Sequence, residues 1–202
     1  PVRYKKVENA SVNKLLKERD KALLEPFIKA ARELEAEGVS AIVGGCGFMV
    51  LFQEQIANAV SIPVFLSSLL QLPVLVRSLN SNGKVGIITA HSKGLTDEHY
   101  RQAGITDQSR LIVYGLEDKP EFRSAVLEER GAVNSDLLRD EVVETAQQMV
   151  ARYPNVRSIL LECSELPPYS KAVQDATNLP VFDFVTLIFC VHSAMSQRNY
   201  VV

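Results

Sequence analysis

The chain has 202 residues, with 22 Lys and Arg against 24 Asp and Glu and a formal net charge of −2. This near-neutral balance, without a block of basic residues, argues against nucleic acid or an anionic membrane surface as the main partner. No apolar run approaches the roughly 20 residues of a membrane span, and three cysteines are too few for a disulfide framework. We therefore expect a cytoplasmic globular protein.

Short apolar runs bounded by polar or turn residues indicate seven strands. They cover residues 2–7, 41–43, 64–66, 85–89, 111–114, 159–161 and 181–182. The last six runs are continuously apolar, which is typical of strands in a parallel sheet that is covered on both faces. The first run differs, because Arg3, Lys5 and Lys6 lie among its apolar residues, and we expect an edge strand there.

Two longer stretches carry the apolar periodicity of amphipathic helices. One covers residues 24–34, with Pro26 in its first turn, and the other covers residues 138–153, with Ser135 or Asp136 as its N-cap. Further helices are predicted at residues 48–59, 96–102, 168–176 and 184–195. Because strands and helices alternate along the chain, the sequence predicts an α/β fold with parallel sheets.

An internal repeat relates the two halves of the chain. When the sequence is shifted by 117 residues, residues 39–65 align with residues 156–182 without a gap. The identical pairs are Val39/Val156, Ile42/Ile159, Cys46/Cys163, Ala59/Ala176, Pro63/Pro180, Val64/Val181 and Phe65/Phe182. The repeat predicts two pseudo-symmetric lobes, formed by residues 1–83 plus 184–202 and by residues 84–183, with one cysteine in each.

The paired cysteines, Cys46 and Cys163, each follow a predicted strand and precede a predicted helix. Ligands of open α/β sheets bind outside the carboxyl ends of the strands, and a helix N-terminus lowers the pKa of a nearby thiol. Two facing cysteines can remove a proton from one face of a carbon next to a carboxylate and return it on the other. Flanking donors for the developing enolate are Gly45, Gly47 and Ser164.

Three motifs at this spacing resemble the aspartate/glutamate racemase superfamily, which includes hydantoin and allantoin racemases, with the related arylmalonate decarboxylases and maleate isomerases. They are Gly44-Gly45-Cys46-Gly47-Phe48, Glu162-Cys163-Ser164-Glu165-Leu166-Pro167-Pro168 and Pro180-Val181-Phe182-Asp183. The resemblance implies two flavodoxin-like lobes, a catalytic cysteine from each, a small carboxylate substrate in the cleft between them, and no pyridoxal phosphate or metal. It also implies a homodimer or larger homo-oligomer, and it places Thr89 near the substrate.

The motifs depart from those of glutamate racemases, which carry Cys-Asn-Thr and Cys-Thr-His. Here Gly47 and Phe48 follow Cys46, so the side-chain donors of the first motif are absent. After Cys163, Ser164 keeps a hydroxyl, while Glu165 replaces the histidine. A carboxylate at that position argues against glutamate as the substrate, and Phe48, Met49 and Phe52 indicate a more apolar pocket unless they are packing residues of the helix. Phe48, Glu165 and Ser164 are therefore candidate substrate-binding residues.

The second half of the repeat has two strands before its long helix, at residues 85–89 and 111–114, whereas the first half has only residues 2–7. We therefore expect a further strand ahead of Pro1 that completes the first lobe.

Other polar residues have weaker functional signals. His91 follows Thr89 at a strand end and is a candidate for orienting a substrate. Cys190 and His192 lie in the apolar helix at residues 184–195, where we expect a buried thiol and a packed polar side chain. Asp183, with Thr186 three positions on, is expected to cap that helix.

The leading hypothesis is a cofactor-independent racemase or epimerase of an amino acid or its derivative, with Cys46 and Cys163 as the acid–base pair. The alternatives are a one-cysteine lyase (a decarboxylase) or cis–trans isomerase that acts on a dicarboxylate, with Cys163 or Cys46 as nucleophile or proton donor, and a non-catalytic carboxylate-binding protein. A thiol hydrolase built from Cys46 and His91 leaves the matched Cys163 unexplained.

Overall fold

The structure is a computed structural model that describes residues 2–18, 20–197 and 199. Its six strands are β1 (Ile42–Val43), β2 (Val64–Phe65), β3 (Lys84–Thr89), β4 (Leu111–Gly115), β5 (Val156–Leu161) and β6 (Val181–Phe182). β1 and β2 form a two-stranded sheet, and the others form a four-stranded sheet in the order β4-β3-β5-β6. Every pairing is parallel, which confirms the predicted fold class.

Eight α-helices are present in the described part of the chain. They are α1 (Leu24–Ala36), α2 (Gln53–Ala57), α3 (Leu72–Ser78), α4 (Asp97–Gln102), α5 (Pro120–Phe122), α6 (Ser135–Arg152), α7 (Ser170–Thr177) and α8 (Phe184–Met195). Short 3₁₀ turns at Lys21–Leu23, Gly47–Phe52, Ser68–Gln71, Ser92–Gly94 and Pro167–Tyr169, and π-helical turns at Asn13–Glu18 and Arg123–Leu127, complete the helical segments. The helices predicted at residues 48–59 and 168–176 thus begin as 3₁₀ turns, which tighten the chain directly after each cysteine loop.

Side-chain caps fix where two of the helices begin. The Asn134 side chain accepts a hydrogen bond from the Leu137 N–H, so Asn134 is the N-cap of α6 and the prediction of Ser135 or Asp136 is wrong by one or two residues. Asp183 and Thr186 form a reciprocal capping box at α8, which confirms the predicted cap.

Two apolar cores hold the molecule together. The larger surrounds the four-stranded sheet, where Ile87, Ile88, Ile159 and Leu160 are fully buried between helices on both faces. The smaller lies between α1, α2 and the two-stranded sheet and is centred on Ile56. We call the part built on β1 and β2 the first lobe and the part built on β3 to β6 the second lobe.

The lobes interlock, because first-half residues enter the second core. Phe48, Val50 and Leu69 pack into the cluster around the four-stranded sheet. Gln71, also from the first half of the chain, donates to the backbone oxygen of Asp183 at 3.0 Å and accepts from the hydroxyl of Thr186 at 3.2 Å. The start of α8 is therefore held by a residue more than 100 positions earlier.

The predicted edge strand at residues 2–7 is wrong, because the structure has no strand there. Arg3 and Lys5 instead form surface ion pairs with Glu37 and Glu33 on or just after α1, and Val7 packs against the apolar core beneath that helix. In the described residues, β1 and β2 are the only strands of the first lobe. The further strand ahead of Pro1 and the exact lobe boundaries stay predictions.

The predicted burial of Cys190 and His192 is also wrong, since both are exposed. α8 buries Phe184, Leu187 and Val191, which share one helical face. Cys190 and His192 point away from that face, as the 3.6-residue period requires.

Candidate active site

A cavity of about 670 Å³ lies against the loops that follow β1 and β5. Gly45, Cys46 and Phe48 line it from the first loop, and residues 162–165 line it from the second. Residues from the segments 10–16 and 125–133 and the side chain of Tyr169 form its walls. The repeat thus brings both paired cysteines to one cavity, at the carboxyl ends of parallel strands where such sheets bind ligands.

The first cysteine loop is shaped by close backbone approach. A Cβ on Gly44 would lie 2.1 Å from the carbonyl oxygen of Leu66, so only glycine lets the end of β1 pass so near the end of β2. Cys46 then adopts an extended backbone and starts the Gly47–Phe52 turn. Its sulfur accepts hydrogen bonds from the backbone N–H groups of Phe48 and Met49, which favour the thiolate.

The second cysteine loop is tied to the first half of the chain by two hydrogen bonds. The Ser164 hydroxyl donates to the carbonyl oxygen of Gly45 at 2.8 Å, and the Ser68 hydroxyl donates to that of Glu162 at 3.0 Å. The sulfur of Cys163 accepts one backbone hydrogen bond, from Glu165. These contacts hold the two cysteine loops side by side.

A buried carboxylate, Glu162, lies between the loops and is 1% exposed. One oxygen, Oε2, accepts from the Thr89 hydroxyl at 2.7 Å, and the carboxylate also accepts from the Ala90 N–H. Among the described residues, Oε1 has no hydrogen-bond partner. A Cβ on Gly47 would lie 1.7 Å from Oε1, so the carboxylate rests against the backbone directly after Cys46.

The sequence interpretation gave no role to Glu162. The available signal was a charged residue directly after the apolar run of β5, at the position where the first half has Gly45. A charge there ends a buried strand inside the protein, where it needs a partner or a function.

Burial and the charge of Glu162 set the pKa values of the site. Desolvation, with a further contribution from Glu162, raises the pKa of Cys46 to about 12 and raises the pKa of Cys163 well above its ordinary value. Desolvation raises the pKa of Glu162 to about 7, against the hydrogen bonds from Thr89 and Ala90. Desolvation and then Glu162 likewise raise the pKa of Tyr100 to about 12.

The charged lining of the cavity has one sign. Glu129, Glu162 and Glu165 contribute carboxylates, and no Lys, Arg or His is among the described lining residues. Phe48 and Tyr169 add aromatic surface. Carboxylates and aromatic faces together suit a ligand that carries a positive charge.

The other candidate residues lie around this cavity in different ways. Gly47 lies beneath Glu162, and Thr89 is fully buried behind it. His91 is outside the cavity lining, and its Nδ1 accepts the Gly94 N–H to cap the Ser92–Gly94 turn. Met49 and Phe52 pack in the first-lobe core.

Among the described residues, no group of three or more His, Cys, Asp or Glu side chains is arranged to hold a metal ion. None of the helices there is both long enough and apolar enough to cross a membrane.

Solved structures with the same architecture include racemases and a decarboxylase. An aspartate racemase homologue from Pyrococcus horikoshii OT3 superposes with a TM-score of 0.59 over 91% of this chain and 80% of the other, at 18% identity. Arylmalonate decarboxylase gives 0.55 over 88% and 78%, at 19% identity. The chain has the aspartate/glutamate racemase fold. Glutamate racemase from Campylobacter jejuni subsp. jejuni shares it as well, with a TM-score of 0.59, 12% identity and coverage of 93% and 74%.

The sequence relatives of this racemase-fold chain are lyases. It is 38% identical over 168 residues to dimethylsulfoniopropionate lyase 7 of Emiliania huxleyi (strain CCMP1516), covering 79% of the chain and 49% of that protein. It is 34% identical over 164 residues to dimethylsulfoniopropionate lyase of Durusdinium sp. clade D, covering 79% and 54%. The chain therefore spans about half the length of these relatives. No family model matches it.

These relatives correct the predicted activity. The racemase or epimerase hypothesis, and with it the assignment to isomerases of amino acid metabolism, is wrong, because proteins at 34–38% identity are lyases. The chain resembles racemases in its fold, and its sequence relatives differ from them in the reaction that they catalyse. The alternative of a one-cysteine lyase agrees better with the relatives.

Proposed function

We propose that this chain carries the active site of a dimethylsulfoniopropionate lyase, which eliminates dimethyl sulfide from its substrate and leaves acrylate. The observation that carries the proposal is the cavity itself, which places two thiols among three carboxylates without a cationic side chain in the described lining. The sequence relatives act on this substrate. The free thiols of Cys46 and Cys163 also fit a reducing compartment such as the cytoplasm.

The charge of the cavity favours this substrate over a dicarboxylate. Dimethylsulfoniopropionate is a zwitterion whose sulfonium cation is attracted by the carboxylates of Glu129 and Glu165. A dicarboxylate meets three like charges there, which disfavours the decarboxylase and cis–trans isomerase alternatives.

The elimination needs one base. The base removes a proton from the carbon next to the carboxylate, the electron pair forms the carbon–carbon double bond, and the carbon–sulfur bond breaks. Dimethyl sulfide leaves as a neutral molecule, so no acid has to protonate it. A racemase instead needs a second group that returns a proton to the opposite face.

We assign the base to Cys46. Burial raises the pKa of both thiols, but the backbone N–H groups of Phe48 and Met49 lower that of Cys46, whereas the N–H of Glu165 is the one backbone group that lowers that of Cys163. Hydrogen bonds to a thiolate lower the free energy of forming it. Cys163 then bounds the cavity on the side of the second loop and contacts the substrate without taking its proton.

The test is to incubate the chain with dimethylsulfoniopropionate and to measure dimethyl sulfide by gas chromatography and acrylate by proton NMR. We expect both products in equal amounts, at a rate abolished in the Cys46→Ser, Cys163→Ser double variant. Dimethyl sulfide release no faster than that from this double variant overturns the proposal.

A second measurement tests the charge argument. The ammonium analogue 3-(trimethylammonio)propionate has the same charges and a similar shape but a much poorer leaving group, so we expect a competitive inhibitor. Succinate serves as the dicarboxylate control and should inhibit far less. Equal inhibition by the two compounds would show that the carboxylates of the cavity do not select the substrate.

A further inference from the structure

Glu162 has no part in the elimination described above, although it is the most buried charged group of the cavity. It directly precedes Cys163, and its Oε1 lies against Gly47, which directly follows Cys46. Glu162 is thus the sequence neighbour of one cysteine, and its carboxylate contacts the sequence neighbour of the other. A carboxylate that is buried without a partner for one oxygen is costly to keep unless it serves a purpose.

The surroundings hold Glu162 in this place. Thr89 and Ala90, at and just after the end of β3, donate hydrogen bonds to the carboxylate. Ser68 holds its backbone oxygen from the first half of the chain. The missing side chain at Gly47 leaves the space that Oε1 fills, so the unpartnered oxygen faces the loop of Cys46.

We propose that Glu162 is the positioning residue that takes the proton from the Cys46 thiol when the substrate binds, and so makes Cys46 the base. The inference rests on the proposed function, which it deepens by naming the group that activates the base. In the first step the S–H bond of Cys46 breaks and an O–H bond forms on the Glu162 carboxylate. In the second, the thiolate takes the substrate proton and re-forms S–H as dimethyl sulfide leaves. Glu162 then loses its proton to solvent, so that acrylate, dimethyl sulfide and one proton are released per turnover.

The charges around Glu162 agree with this order of events. The titratable groups that face it are Cys46, Cys163 and Tyr100 of α4, and its negative charge raises the pKa of all three. Glu165 follows two residues after Cys163, and no cationic side chain in the described part of the chain contributes to the pKa of Glu162. Transfer of one proton from Cys46 to Glu162 keeps a single negative charge between them, while the incoming sulfonium stabilises that charge next to the substrate.

The decisive variant is Glu162→Gln, which keeps the shape of the side chain and an acceptor for Thr89 but has no carboxylate to take a proton. Its matched control is Glu54→Gln, which changes an exposed carboxylate on α2 that does not line the cavity. Two readouts are compared: the kinetics of dimethyl sulfide release, and the rate at which iodoacetamide alkylates Cys46, followed by peptide mass spectrometry at several pH values. Circular dichroism is the control that each variant folds.

The two readouts should move in opposite directions in Glu162→Gln. Without the neighbouring charge, the thiol pKa falls and alkylation of Cys46 at pH 8 speeds up about 10-fold, one pKa unit being a factor of 10 in thiolate. At the same time kcat falls about 100-fold or more, while KM stays within about threefold, because a proton acceptor has been lost. Glu54→Gln should change neither rate.

A second variant, Thr89→Val, tests the same idea with the carboxylate in place. Loss of the hydrogen bond to the ionised form raises the pKa of Glu162 further, so the acid limb of the kcat/KM profile should move to higher pH. The inference is overturned if Glu162→Gln keeps kcat within about threefold of the wild type, if alkylation and kcat both rise, or if Thr89→Val leaves the acid limb unmoved.

The outcome also separates this inference from the proposed function. A wild-type chain that releases no dimethyl sulfide refutes the function, and with it the role of Glu162 in the elimination. The alkylation rates do not depend on the substrate, so they still decide whether Glu162 controls the thiol of Cys46. If the wild type releases dimethyl sulfide faster than the double cysteine variant, and this rate is lost in Cys46→Ser but kept in Glu162→Gln, the inference alone is refuted.

Discussion

The two cysteine loops occupy equivalent positions in the repeat but differ in chemistry. In the first loop Cys46 is flanked by Gly45 and Gly47, whereas in the second Cys163 is flanked by Glu162 and Ser164. The second loop therefore supplies the polar side chains, and the glycines of the first loop leave room for them. The backbone is pseudo-symmetric while the active groups are not, which suits a reaction that needs one base more than a racemase that needs two matched ones.

The differences between the loops are also complementary. Glu162 fills the space over Gly47, and Ser164 donates to the carbonyl oxygen of Gly45. Each polar side chain of the second loop thus meets a glycine of the first. The following predictions test whether this complementarity is required, in order of decreasing expected effect.

The largest effect should come from exchanging the cysteines one at a time. Cys46→Ser should lower kcat for dimethyl sulfide release about 1,000-fold, because a hydroxyl is a far weaker acid than a thiol and cannot serve as the base. Cys163→Ser should lower it only about 10-fold, through altered contact with the substrate. Steady-state kinetics by gas chromatography measures both. Equal losses would mean that the loops act alike and would contradict the assignment of Cys46.

A second effect concerns the pH dependence of stability. Because the pKa of Glu162 is raised to about 7 in the folded protein, the native state binds this proton more tightly than the unfolded state does. The protonated Glu162 side chain contributes about 3 kcal/mol to the free energy of unfolding. This contribution is fully present below the unfolded pKa of about 4.5 and is lost as the pH rises through about 7.

Urea unfolding between pH 4.5 and 8 measures this contribution as the difference between the wild type and Glu162→Gln. We expect the wild type to lose stability relative to the variant as the pH rises. A difference that does not change with pH would mean that Glu162 titrates alike in both states.

The two glycines that flank Cys46 should differ in how much an alanine substitution destabilises the protein. A Cβ at position 47 meets Glu162 Oε1 at 1.7 Å, whereas one at position 45 meets nothing within 4 Å. Gly47→Ala should therefore lower the free energy of unfolding by about 2 kcal/mol, as overpacking typically does. Gly45→Ala, the matched control, should stay within about 0.5 kcal/mol of the wild type. Similar losses in both variants would show that Gly47 is not specifically required beneath Glu162.

The smallest effect is that of the hydrogen bond between the loops. Ser164→Ala removes the donor to the carbonyl oxygen of Gly45 and should cost about 1 kcal/mol of unfolding free energy. Ser81→Ala, on an exposed turn, is the control and should cost nothing measurable in the same urea titration. A Ser164→Ala variant as stable as the control would mean that this contact does not hold the loops together.

The sequence predicts the parts of the molecule that depend on local pattern. The apolar runs locate β3 to β6, and the matched cysteines locate the cavity, because carboxyl ends of parallel strands share one edge of a sheet. The role of Glu162 depends instead on Thr89, 73 positions earlier, and on the space at Gly47. Such contacts between distant segments leave no periodic signal in one sequence.

The wrong predictions have physical reasons as well. Removal of a proton next to a carboxylate is common to racemases and to this elimination, so a cysteine pair alone does not distinguish them. The sequence relatives do distinguish them, because they are lyases. At residues 2–7, apolar and basic residues predict a strand, yet the segment pairs with no strand and instead lies along α1 through surface ion pairs and the packing of Val7.

The contact of Gln71 with the start of α8 has a consequence for synthesis on the ribosome. The second lobe is formed by one continuous stretch of chain, β3 to β6, and can pack as soon as that stretch has emerged. The bonds that Gln71 makes to Asp183 and Thr186 can form only after those residues, more than 100 positions later, have been made. The contacts that tie α8 to the first half of the chain therefore form last, after β3 to β6 have left the ribosome.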